Sequence, residues 1–168
     1  MKMSISRLFF VISVMLLTFG KVNAQEKTIV QLLNSQLQKE LKSYPNDDSM
    51  VVLQPFKINE KKELSVKFKR TNVNTGESEI ITRRVYLGKI KSLVKDINVL
   101  FETEADAVTI VTKTITNDGT VKPEITTMSY DLFFTEINKD RGNEDFRDKL
   151  ITAFKKAGYK IDCTIWAD

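Results

Sequence analysis

Two periods of hydrophobic spacing divide the chain. Ile29, Leu32, Leu33, Leu37 and Leu41 recur at helical intervals on one face, with Gln31, Asn34, Gln38 and Lys39 on the others. Thr28 followed by Gln31 is a capping-box pattern, and Tyr44-Pro45-Asn46-Asp47-Asp48 stops the run, so an amphipathic helix is predicted between them. From Met50 the period changes to two. Met50 to Ile58 reads as a strand that Pro55 places at a sheet edge, since proline cannot donate to a ladder. Asn59 to Lys62 is a turn, after which Leu64, Val66 and Phe68 alternate with Ser65, Lys67 and Lys69 to complete a hairpin. A turn at Asn72 to Gly76 leads into a strand from Ile80 to Leu87, and Gly88 with the spacing of Ile90, Leu93 and Val94 predicts a short helical turn. Ile97 to Thr103 and Ala107 to Thr116 read as another hairpin, turning near Glu104-Ala105-Asp106. Asn117-Asp118-Gly119 then marks a tight turn into one long strand, where Met128, Tyr130, Leu132 and Phe134 alternate with Ser129, Asp131 and Phe133.

A second helix is predicted after Asn143, a good N-cap, with Glu144 and Asp145 at the positive end of the helix dipole. Phe146, Leu150 and Phe154 form its stripe, and Lys155, Lys156 and Gly158 suit its end. Tyr159, Ile161, Cys163 and Ile165 alternate with polar residues in a closing strand, whose parity predicts burial of Cys163. The fold expected is α+β: an N-terminal amphipathic helix, an antiparallel six- to seven-stranded sheet or roll with short connections, and a C-terminal packing helix.

The curved meander closed by a helix carrying Phe146 and Phe154, with Val85-Tyr86-Leu87 followed by Ile90 and Val94, resembles the pleckstrin-homology or GRAM type of roll, roughly from Met50 to Ala157. In that family the basic first hairpin contacts anionic head groups. The N-terminal helix and the strand after Phe154 depart from the family pattern, and the family's lipid binding is cytoplasmic. The resemblance therefore implies the roll and no ligand.

The start of the chain changes the picture of where the protein works. Lys2 and Arg7 precede a 12-residue apolar run, Leu8 to Phe19, with no acidic residue before Glu26, and Val22-Asn23-Ala24 supplies small residues at a peptidase site. Residues 1–24 read as a cleavable signal peptide cut between Ala24 and Gln25, and 25–168 as one globular domain. Spanning a membrane takes about 20 residues, so no stable anchor is expected after cleavage and the protein should be exported, either periplasmic or secreted.

Removing Lys2, Arg7 and Lys21 from the 26 basic residues leaves 23 against 22 acidic, a balance that gives no support to nucleic-acid binding. With no histidine, the usual hydrolytic triads, His-based metal sites and imidazole pH switches are excluded. Cys163 is the only cysteine, so no disulfide forms within the chain. No catalytic, metal or cofactor-binding residue is assigned. The candidate chemistry is an anion-binding surface of Lys67, Lys69 and Arg70 with Arg83 and Arg84, the one local concentration of like charge. Glu102, Glu104 and Asp106, and separately Asp47-Asp48, sit near turns without a calcium-loop pattern and read as solvated acids. Phe101, Tyr130, Phe133, Phe134 and Trp166 read as core rather than a pocket lining. The function expected is a non-enzymatic binding or interaction domain for a protein, glycan or anionic ligand. The alternatives are a periplasmic inhibitor or immunity-type protein, or a hydrolase using carboxylates alone, which would need two acids converging in an apolar cleft.

Overall fold

The computed structural model describes residues 25–42, 50–138 and 140–167. Residues 1–24, read above as a signal peptide with cleavage after Ala24, and the expected Tyr44 to Asp48 stop lie outside them. Helix α1 (25–42) is already helical at Gln25, so Thr28 sits inside the helix and not at its cap. Tertiary bonds order this first turn: the buried Glu26 accepts from Lys62 at 2.8 Å and from the Tyr159 hydroxyl at 2.9 Å. The expected stripe faces inward, with Ile29, Leu33 and Leu37 fully buried.

Nine strands follow among the described residues: β1 (Met50–Ile58), β2 (Glu63–Thr71), β3 (Ser78–Tyr86), β4 (Ile90–Lys95), β5 (Val99–Thr103), β6 (Val108–Ile115), β7 (Val121–Tyr130), β8 (Leu132–Ile137) and β9 (Asp162–Trp166). They form a five-stranded sheet in the order β1-β2-β3-β6-β7 and a four-stranded sheet in the order β8-β5-β4-β9. All pairs are antiparallel except β4 with β9. The α+β class and both helices are as expected, and Pro55 indeed lies on an edge strand, as does Pro123 on β7 at the opposite edge.

The two sheets share a corner, and it is there that the alternation misleads. The chain passes from one sheet to the other three times: between β3 and β4 through the 3₁₀ turn Leu87–Lys89, between β5 and β6 through 104–107, and between β7 and β8 at Asp131. Backbone bonds from Glu104 to Lys89 and from Thr103 to Asp131, both 2.9 Å, hold the three bends side by side. Strands that switch sheets at a bend are the usual means of turning such a corner. β5 and β6 are therefore not a hairpin; they belong to different sheets. The single long strand expected after Gly119 is broken at Asp131; of the two phenylalanines read as core beyond the break, Phe133 is fully buried and Phe134 half-buried. The expected helical turn after Gly88 shrinks to three residues, and Ile90–Lys95 is a strand. β4 lies between β5 and β9 and is buried on both faces, which removes the period-two signal.

Helix α2 (Glu144–Lys156) buries Phe146, Leu150, Ala153 and Phe154. It ends in a Schellman motif: Gly158, at φ 89°, donates to Lys155 at 3.1 Å and Tyr159 donates to Phe154 at 3.0 Å. The Asn143 side chain does not cap the helix; its Oδ1 accepts from the buried Lys95 ammonium at 3.1 Å. One core unites α1, both sheets and α2, with Phe101 packed 6.1 Å from Phe133 and 5.5 Å from Phe154 between ring centres. Cys163 is half-buried and Ile165 exposed, contrary to their shared parity with the buried Ile161. For Ile165 the reason is an irregularity in the β4–β9 ladder, where Leu93 pairs with Cys163 but Val94 pairs with Ile165, leaving Thr164 as an extra residue that breaks the alternation.

Candidate functional site

The five-stranded sheet packs Leu64, Val66 and Phe68 of β2 against the core, so alternation turns Ser65, Lys67 and Lys69 to its outer face. Pairing extends this face in rows. Lys69 stands beside Ile80 of β3 and then Lys113 of β6; Lys67 beside Thr82 and then Val111; Ser65 beside Arg84 and then Thr109. Leu53 and Gln54 of β1 close one side, where the β1–β2 register shifts and leaves Leu53 as an extra residue. The result is a groove of about 570 Å³ with Lys67, Arg84 and Lys113 around it and Leu53, Ile80 and Val111 among its apolar lining. Among the described residues no carboxylate pairs with Lys67, Lys69, Arg84 or Lys113. Arg84 and Lys113 are four residues apart on neighbouring strands, which separates their Cα atoms by roughly 14 Å. The arrangement suits an elongated ligand with several anionic groups better than one small ion.

Of the five basic residues expected to act together, the structure brings Lys67, Lys69 and Arg84 to this face and sends Arg70 and Arg83 to the other. Arg83 is buried, ion-paired with Glu136 at 2.5 Å, and donates to the Phe134 carbonyl at 2.9 Å. Its guanidinium lies 5.7 Å from the centre of the Phe68 ring. Arg70 meets the same Glu136 at 2.9 Å. Glu136 sits at φ 63°, in a bulge where Thr135 and Glu136 fall between the pairs Val99–Ile137 and Leu100–Phe134. Adjacency carried the signal for this division, because neighbours in a strand point to opposite faces, so Arg83 and Arg84 had to part, as did Lys69 and Arg70. Lys113 had no such signal. It joins the site only because β6 pairs with β3 across an intervening pair of strands.

The acidic candidates do not converge. Glu102 bonds the hydroxyls of Ser92 and Thr164, whereas Glu104 pairs with Lys89 at 2.6 Å and is held below the usual carboxylate range by that hydrogen bond. Asp106 takes a left-handed turn conformation, at φ 54°, and Asp47-Asp48 lie outside the described residues. Among the described residues no three His, Cys, Asp or Glu side chains are grouped to hold a metal. Phe101 and Phe133 belong to the core, Phe134 is half-buried, Trp166 packs at the core's edge, and Tyr130 is exposed on β7. No helix among the described residues is long and apolar enough to cross a membrane. No protein-family model, curated protein or solved structure matches the chain, so the pleckstrin-homology or GRAM resemblance stands without a match for or against it.

Proposed function

We propose that the chain is an exported, non-catalytic binding domain that takes an anionic partner on the outer face of its five-stranded sheet. The observation that carries this reading is the groove itself: cations from three different strands surround a floor where Leu53, Ile80 and Val111 lie beside Gln54 and Thr82, and no described carboxylate neutralises them. Cations left unpaired beside apolar surface raise the local potential and attract opposite charge, while the floor gives a bound ligand something to bury. The volume falls within the usual range for ligand sites. A carboxylate-only hydrolase has less support. Such a mechanism needs one acid with a raised pKa, and Glu104, Asp118, Asp140 and Asp148 are all shifted downward by hydrogen bonds.

The test is retention on heparin and on anionic vesicles at low and moderate salt. Wild type should be retained at low salt and released as screening shortens the reach of the charges. The variant Lys67→Gln, Arg84→Gln, Lys113→Gln should lose retention with unfolding unchanged, because exposed and half-exposed cations contribute little to folding. Equal retention of both proteins, or of neither, overturns the proposal. The export half is tested separately: intact mass of the protein recovered from the host's exported fraction should correspond to a chain beginning at Gln25.

A further inference from the structure

The exposed edges of the two sheets are treated unequally. At β1, the Asn34 side chain of α1 bonds both backbone groups of Phe56, donating to its carbonyl at 2.9 Å and accepting from its N–H at 2.8 Å. At β8, the Phe134 carbonyl accepts from the Arg83 guanidinium of the other sheet. β7 has neither treatment. It runs for ten residues at the end of the five-stranded sheet, every residue of it whose burial is described is exposed, and among the described residues no other element bonds its outer edge. Val121, Ile125, Met128 and Tyr130 stand 40 to 55 % exposed along it. An edge of this length and composition is a template for another strand, and proteins that do not use such an edge usually charge, shorten or cover it. Here Lys122, Pro123 and Glu124 guard only the first four residues. The stretch Ile125 to Tyr130 carries no charge.

We propose that β7 pairs antiparallel with β7 of a second copy, joining two five-stranded sheets into one continuous sheet about a twofold axis. The strand is its own complement. In any antiparallel register centred on Thr126, Thr127 or Met128, no charged residue of one strand faces a like charge of the other, and the central pair is Thr with Thr or Met with Met. A charged partner strand would find no opposite charge along this stretch. A twofold contact of this kind closes on itself and leaves no further β7 edge open, which an indefinite stack would not achieve. The edge is separate from the groove on the outer face, so this inference does not depend on the proposed function.

The test uses protein expressed from the whole sequence and purified after processing. Sedimentation equilibrium of wild type should move from one to two chain masses as concentration rises, and amide exchange in Ile125 to Tyr130 should slow with it. Thr127→Lys sets like charges near or at the axis, and Ser129→Pro places in the strand a residue that cannot donate to a ladder; at least one should keep the wild-type unfolding curve, and such a variant should remain at one chain mass. A wild type that stays monomeric to millimolar concentration overturns the proposal. So does a folded Thr127→Lys or Ser129→Pro protein that dimerises as wild type does, since another surface would then be responsible.

Discussion

Tyr159 shows how single side chains fasten the two ends of the described chain to each other. Its hydroxyl donates to the buried Glu26 of α1, which also holds Lys62 in the β1–β2 turn. Burial, together with the bond to the Glu26 carboxylate, pushes the Tyr159 pKa from 10.0 up to about 12. The folded state thus keeps a proton that the unfolded chain releases near pH 10. This contribution to stability is fully present below about pH 10 and is lost as pH rises through about 12. Urea unfolding of wild type and Tyr159→Phe, measured from neutral pH to about pH 11, should show a wild-type advantage that is constant at first and narrows above about pH 10. Parallel curves across the whole range would mean that the hydroxyl titrates alike in both states. Glu136 plays a comparable part on the inner side of the five-stranded sheet, where it joins Arg70 to the buried Arg83. The enclosed Arg83–Glu136 pair is costly to break from either partner, so Arg83 serves the fold.

At the scale of elements, α2 is the piece whose role follows most directly from its sequence. Phe146, Leu150 and Phe154 recur at helical spacing, and all three are buried. Phe154→Ala should destabilise the protein by about 3–5 kcal/mol, since Phe154 is fully buried between the rings of Phe101 and Tyr159 and the change leaves a large cavity. A change in urea unfolding of less than about 0.5 kcal/mol would mean that the cavity closes at no cost and that α2 does not seal the core. The same local spacing made α1, the β1–β2 hairpin and the edge position of β1 legible. It failed wherever the chain turned a corner without a turn motif. Asp131 interrupts a run of alternating residues with no glycine or proline to mark it, and β4 gave a helix-like spacing because both of its faces are buried. The candidate site was half-legible for the same reason. Lys67, Lys69 and Arg84 were readable from sequence and parity, whereas Lys113 required the pairing of β3 with β6, which is tertiary information.

For the whole molecule, the corner decides how stability is shared. Because β3 continues into β4, β5 into β6 and β7 into β8, each sheet contains segments whose continuation lies in the other. A single hydrophobic cluster runs through both sheets and both helices, so neither sheet can lose its inner face without exposing that of its neighbour. Unfolding should therefore be one cooperative transition. Trp166 sits on β9 at the far edge of the four-stranded sheet, packed against the core, and its fluorescence reports that sheet, while far-ultraviolet dichroism reports the entire backbone. The two probes should give coincident urea transitions, with equal calorimetric and van't Hoff enthalpies. Reductant should not move the midpoint, since the lone Cys163 closes no loop within the chain. Separate transitions for tryptophan and backbone would show that the sheets melt independently, and the corner would then be a hinge between two units and not the seam of one.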